Sequence, residues 1–143
     1  MKRVLCLLLV LVGCGFDAKV LQPPNPDSNI AQICEAAVAN LPEVVDGVSQ
    51  VSTNPKSPYT AAWGDPAITL RCGVEFPADY SANASLVSVN DLDWFSSERV
   101  DAYVFTNTSS EVFIEITVPI KDSSPAGALA QLAPWVKSVI NTQ

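Results

Sequence analysis

Two cysteines on the apolar faces of two unlike elements constrain this chain more than any other feature. Around Cys72, the residues Ile68, Leu70, Cys72 and Val74 alternate with Thr69, Arg71 and Gly73. That period of two describes a strand with the first set on one face. Cys34 stands in a different rhythm. Ile30, Ile33, Cys34, Ala37, Val38 and Leu41 recur at helical spacing, with Asp27 or Ser28 as N-cap and Pro42 as stop. An apolar helix face and an apolar strand face are expected to enter the same core, where a Cα–Cα approach suited to a disulfide is feasible. Linking them would close a loop of about 38 residues, for which chain entropy gives roughly 4 kcal/mol. Two separate buried thiols are the alternative.

The pairing depends on what happens to the other two of the four cysteines. Lys2 and Arg3 precede an apolar run, Val4 to Val12, that ends in Leu11-Val12-Gly13-Cys14. A basic start, a short apolar stretch and a small residue before the cut are the parts of a secretory signal. The run is roughly half the ~20 residues a spanning helix needs, so it reads as removable. Leu11-Val12-Gly13-Cys14 also looks like a lipobox, after which Cys14 becomes the lipidated first residue. A plain secretory signal would instead leave Cys14 as a thiol, but no A-x-A-like pair precedes it. Removal of residues 1–13 discards Cys6, and lipid on Cys14 leaves Cys34 and Cys72 as the one pair. An exported chain is the setting in which such a pair oxidises. Two acyl chains on one cysteine anchor a protein stably, at about 0.8 kcal/mol per buried CH₂. The expected address is the extracytoplasmic face of the cell membrane.

Residues 14–27 carry three prolines and read as a tether, able to reach at most about 45 Å. The remainder, 28–143, is expected to be one domain. Without Lys2 and Arg3 the mature chain has six basic against fifteen acidic residues, a charge of −9. An acidic chain with no basic cluster argues against a nucleic-acid partner and against electrostatic attachment to anionic lipid headgroups, which leaves the anchoring to the lipid. There is no histidine, which removes the usual general base and the usual zinc ligand together. No cofactor and no metal site is expected.

Downstream, Val44 to Thr53 is a weakly patterned strand, and Asn54 to Pro66 reads as loop because of Pro55, Pro58, Gly64 and Pro66. After the strand at Ile68 come Leu86 to Asn90, continuing toward Phe95, then Val100 to Thr106, then Glu111 to Pro119. Asn107 to Ser110 reads as a hairpin turn. A closing helix begins near Pro125, with Leu129, Leu132, Ala133, Val136 and Ile140 on one face and Pro134 expected to kink or split it. The expected fold is α+β: an antiparallel sheet of four to five strands, an N-terminal and a C-terminal helix packed on one face, and one disulfide.

Several blocks resemble a known family. Ser57-Pro58, Ala61-Ala62-Trp63-Gly64-Asp65-Pro66 and Leu70-Arg71-Cys72-Gly73-Val74 are similar to the central motif of the actinobacterial domain of unknown function 3515. Val89-Asn90, Asp93-Trp94-Phe95 and Glu115-Ile116-Thr117-Val118-Pro119 look like its later motifs. The likeness spans roughly Ile33 to Pro134. It implies a small, exported, membrane-attached envelope protein and implies no activity. More loosely, the chain resembles small lipoprotein domains of those bacteria that bind partners or apolar ligands, a likeness of fold alone.

Few residues carry chemistry. Asp91 and Asp93, or Glu111 and Glu115, are carboxylate pairs that can serve acid–base work or hold a hard cation. Ordinary solvated turn and strand residues is the simpler reading. A Ser-His-Asp triad is impossible, and no Gly-rich phosphate loop occurs. Trp63, Asp65, Arg71, Trp94 and Phe95 are the candidate binding patch, since aromatics beside one Arg compose many interaction hot spots. Their plain roles are core packing for the tryptophans and a cross-strand pair of Arg71 with Glu111 or Glu115. The expectation is therefore a lipid-anchored binding module for an envelope protein or small ligand. A hydrolase using Asp65, Asp91 or Asp93, and a carrier of an apolar ligand between sheet and final helix, are the alternatives.

Overall fold

The computed structural model describes residues 18–120 and 125–141. Its centre is an antiparallel sheet of eight strands. In spatial order these are β2 (Val44–Val45), β3 (Val48–Val51), β5 (Thr60–Trp63), β6 (Ile68–Cys72), β10 (Ile114–Pro119), β9 (Ala102–Asn107), β8 (Leu92–Glu98) and β7 (Leu86–Val89). A separate two-stranded parallel pair joins β1 (Lys19–Val20) to β4 (Thr53–Asn54). The helices are α1 (Ser28–Val38) and α2 (Pro125–Ile140).

This corrects the expected α+β fold of four to five strands: the protein is mostly β, with eight strands in the main sheet. The physical reason lies in strands that carry no readable period. β5 reads Thr-Ala-Ala-Trp and is buried at all four positions, so it lacks the alternation of a half-buried strand. It also lies inside the Pro-rich stretch read as loop. β2 and β3 form a hairpin on Asp46-Gly47, both at positive φ (51° and 79°), with Val45 opposite Val48. Such two-residue turns match the strand twist, and Asp-Gly is one of their preferred sequences. Asn90 and Asp91 repeat this geometry, at φ 50° and 59°, and split the stretch read as one strand into β7 and β8.

Other elements follow the sequence closely. Asp27 caps α1, its carboxylate accepting from the Asn29 and Ile30 N–H groups at 3.0 Å each. In β10, Ile114, Ile116 and Val118 are buried, whereas Glu115 and Thr117 are part-exposed. α2 is continuous through Pro134 rather than two helices. The disulfide between Cys34 and Cys72 is formed, with a Cα–Cα distance of 5.6 Å, and ties α1 to β6.

Residues paired across strands share a face, so the register sorts the sheet into two sides. One side carries Trp63, Ile68, Leu70, Cys72, Ile116 and Phe105. Both helices close it: Cys34 of α1 and Leu129, Leu132 and Val136 of α2 belong to the same core. Trp135 Nε1–H donates to the Ala37 carbonyl at 2.8 Å and joins the helices. The other side carries Thr69, Arg71, Val104, Thr106, Glu115 and Thr117 and, among the described residues, has no helix.

Candidate functional site

The helix-free side is where surface chemistry can occur. Part of its cover is the N-terminal segment. Of the expected tether, 14–27, only residues 18–27 fall within the described residues, and these are held on the domain. The Lys19 N–H donates to the Ser52 carbonyl at 2.8 Å, and the Leu21 N–H to the Asn54 carbonyl at 3.1 Å. Arg71 Nη1 donates to the Gln22 carbonyl at 3.3 Å. Gly73, at φ +82°, lies so near Pro26 that a Cβ there would come within 2.8 Å of the proline ring. Glycine at 73 is required twice, by its backbone conformation and by this approach.

An aromatic group forms the rest of the cover. The rings of Phe76 and Phe113 lie 4.8 Å apart, Phe76 and Tyr80 4.9 Å, and Tyr80 and Phe95 5.4 Å. These are favourable tilted and edge-to-face contacts. They brace the loop after β6 against β8 and the start of β10.

Between the two covers run two adjoining cavities. One, of about 490 Å³, is polar and is lined by Arg71, Glu75, Asp79, Arg99, Thr106 and Glu115, among others. The second, of about 430 Å³, is more apolar, with Leu21, Pro66, Ala67, Ala102 and Pro119 in its wall. Arg99 and Glu115 line both, so the two cavities adjoin at these side chains and together make up the groove of this face. At its centre Arg71 and Glu115 make a two-pronged pair. Nε donates to Oε1 at 2.9 Å and Nη2 to Oε2 at 3.1 Å. The two side chains are only 27% and 17% exposed. Forked charge-assisted bonds of this kind fix geometry as well as adding energy. Arg99 has no ion pair among the described residues.

A third cavity, of about 500 Å³, lies on the helix side. Its wall is Val87, Val89, Tyr103 and Phe105 of the sheet with Pro125 and Leu129 of α2. It opens beside β7, where Leu86 and Val87 are exposed.

The five residues of the candidate patch are not brought together. Trp63 is fully buried, its Nε1–H donating to the Pro42 carbonyl at 2.9 Å. Trp94 is equally buried, and its indole N–H has no hydrogen-bond partner. Phe95 packs on Tyr80 on the opposite side of the sheet, and Asp65 is exposed in the turn after β5. Only Arg71 lines the groove. Asp91 sits in the β7–β8 turn 3.4 Å from Lys137 Nζ. Asp65, Asp91 and Asp93 line none of these three cavities. Among the described residues no group of three or more Cys, Asp or Glu is placed to hold a metal ion. Arg99, Glu75 and Asp79 escaped sequence reasoning, because their shared position depends on which loops fold over the sheet. Cys14 lies outside the described residues.

Fold and groove define a small, disulfide-tied β-sheet domain whose helix-free face is an open, mixed-charge groove. The chain belongs to the family described as protein of unknown function (DUF3515), whose model matches residues 12–143. No curated protein and no solved structure matches it. Among the described residues no helix is long and apolar enough to cross a membrane.

Proposed function

We propose that this is a lipid-anchored protein on the extracytoplasmic face of the cell membrane, and that it binds a small amphipathic ligand without transforming it. The lipobox at Leu11–Cys14 supports the location, and the groove supports the binding. The observation that carries the binding reading is the joining of a polar and an apolar cavity through Arg99 and Glu115. Such a site offers charged and hydrogen-bonding groups to one end of a ligand and a more apolar wall to the other. The Arg71–Glu115 fork is already assembled, so binding would not have to order it.

Location and binding are tested separately. Globomycin, which blocks lipoprotein signal cleavage, should accumulate the uncleaved precursor, and Cys14→Ala should abolish lipid attachment. Unchanged processing and an unchanged membrane fraction would defeat the anchor. For the groove, native mass spectrometry of protein purified from its envelope should show a bound small molecule. Thr117→Trp, which fills the apolar cavity from the sheet surface, should lose it; retention of the same adduct would defeat the groove as the site.

A second reading, an apolar ligand carried between the sheet and α2, has its own observation in the cavity lined by Val87, Phe105 and Leu129. Leu129→Ala would then change the bound molecule, whereas Thr117→Trp would not.

A further inference from the structure

We infer that one end of the domain, formed by Lys19–Leu21, the turn at 99–101 and Ile120, rests on the lipid headgroups. The inference builds on the lipid-anchor reading above and adds an orientation to it. Two observations lead there. The first is chain length. Hydrogen bonds fix the chain to the domain from Lys19 onward. Five residue steps separate Cys14 from Lys19, which span at most about 18 Å. A free spacer of the full length 14–27 would have allowed about 45 Å. With lipid on Cys14, Lys19 is held within about 18 Å of the bilayer interface, and the end carrying Lys19 must be the near one.

The second observation is the surface at that end. Val100 is wholly exposed (102%), Val20 is 75% exposed and Ile120 41%. Their neighbours Lys19, Leu21, Arg99, Asp101 and Pro119 line one cavity, and the Ile120 N–H donates to the Asp101 carbonyl at 3.0 Å. Three exposed aliphatic residues therefore stand next in sequence to the residues of this cavity, at the end where the anchored segment meets the domain. Exposed apolar residues grouped in this way mark an interaction surface more often than single ones do. The charges agree. Lys19 and Arg99 make no ion pair among the described residues. They balance Glu98 and Asp101 locally, in a chain whose net charge is −7. An acidic protein near anionic headgroups is repelled least when such an end is turned down. Aliphatic side chains beside Lys and Arg suit the interfacial layer, where the stems bury and the charges stay at headgroup level.

The test uses the lipidated protein in vesicles of phosphatidylcholine with a minority of phosphatidylglycerol. Val100→Cys and Ser109→Cys each supply one free thiol, since Cys14 carries lipid and Cys34 is bonded to Cys72. Ser109 is exposed beyond the opposite end of β9, so it reports the far side. An environment-sensitive fluorophore at position 100 should shift to the blue and be quenched by brominated lipid several-fold more than one at 109. Equal quenching at the two positions in protein that floats with the vesicles, or stronger quenching at 109, would overturn the orientation and leave the anchor standing. Failure to float would overturn the anchor and the orientation with it.

Discussion

The two faces of the sheet are built on opposite principles. The helix side is sealed by packing: Ile68, Leu70, Ile114 and Ile116 are fully buried against α1 and α2, and the disulfide joins the layers. The other side is covered by segments without helix, the chain at 19–26 and the aromatic-braced loop after β6, which leave a groove between them. Stability is concentrated on the first face and surface chemistry on the second. A sheet can be sealed by helices on one side and still present a shaped site on the other, provided short irregular segments supply the walls.

The largest test of this division is loss of the disulfide. Cys34→Ala with Cys72→Ala should lower unfolding stability by roughly 4 kcal/mol, measured by urea denaturation under non-reducing conditions. A loss below about 1 kcal/mol would mean that helix packing alone seals that face. Next comes Gly73→Ala, which meets both a positive φ and the Pro26 ring. It should cost about 1–3 kcal/mol and make the segment before Asp27 a faster target for limited proteolysis. Unchanged proteolysis would show that the segment is not held through Pro26.

Smaller still is a difference within the sealed face. Trp63→Phe strands the Pro42 carbonyl, whereas Trp94→Phe removes a donor that has no partner. The first should be the more destabilising by about 1 kcal/mol in thermal unfolding. The least effect on stability is expected on the groove face. Arg71→Ala breaks a pair that is still partly solvated, so the loss should be about 1 kcal/mol or less. Ligand binding should fall far more than stability does. The reverse ratio would make Arg71 a structural residue only.

The candidate site was less legible than the fold elements around it. Arg71 and Glu115 were readable as a cross-strand pair, because each stands on the polar face of a strand with clear alternation. Asp46-Gly47 also carried a hairpin signal in the sequence, masked by the shortness of the strands it joins. The tryptophans take the core role that was the plain alternative to the patch, and the sequence left the two readings open for a different reason. Trp63 belongs to a strand buried on both faces, where nothing in the local pattern separates core from surface. The groove residues come from 19–25, 66–79, 97–106 and 115–119, and only the folding of distant segments over the sheet brings them together.

Periodicity alone determined which face of α1 and of β6 turns inward, and hence that Cys34 and Cys72 could enter the same core. It also determined the inward set of β10, because a half-buried strand writes its environment into every second residue. The tertiary structure alone decided the number of strands, the burial of Trp63 and Trp94, and the attachment of residues 19–26 to the domain. Each of these depends on what covers a segment from above and below. That cover comes from parts of the chain far away in sequence, so no local pattern records it.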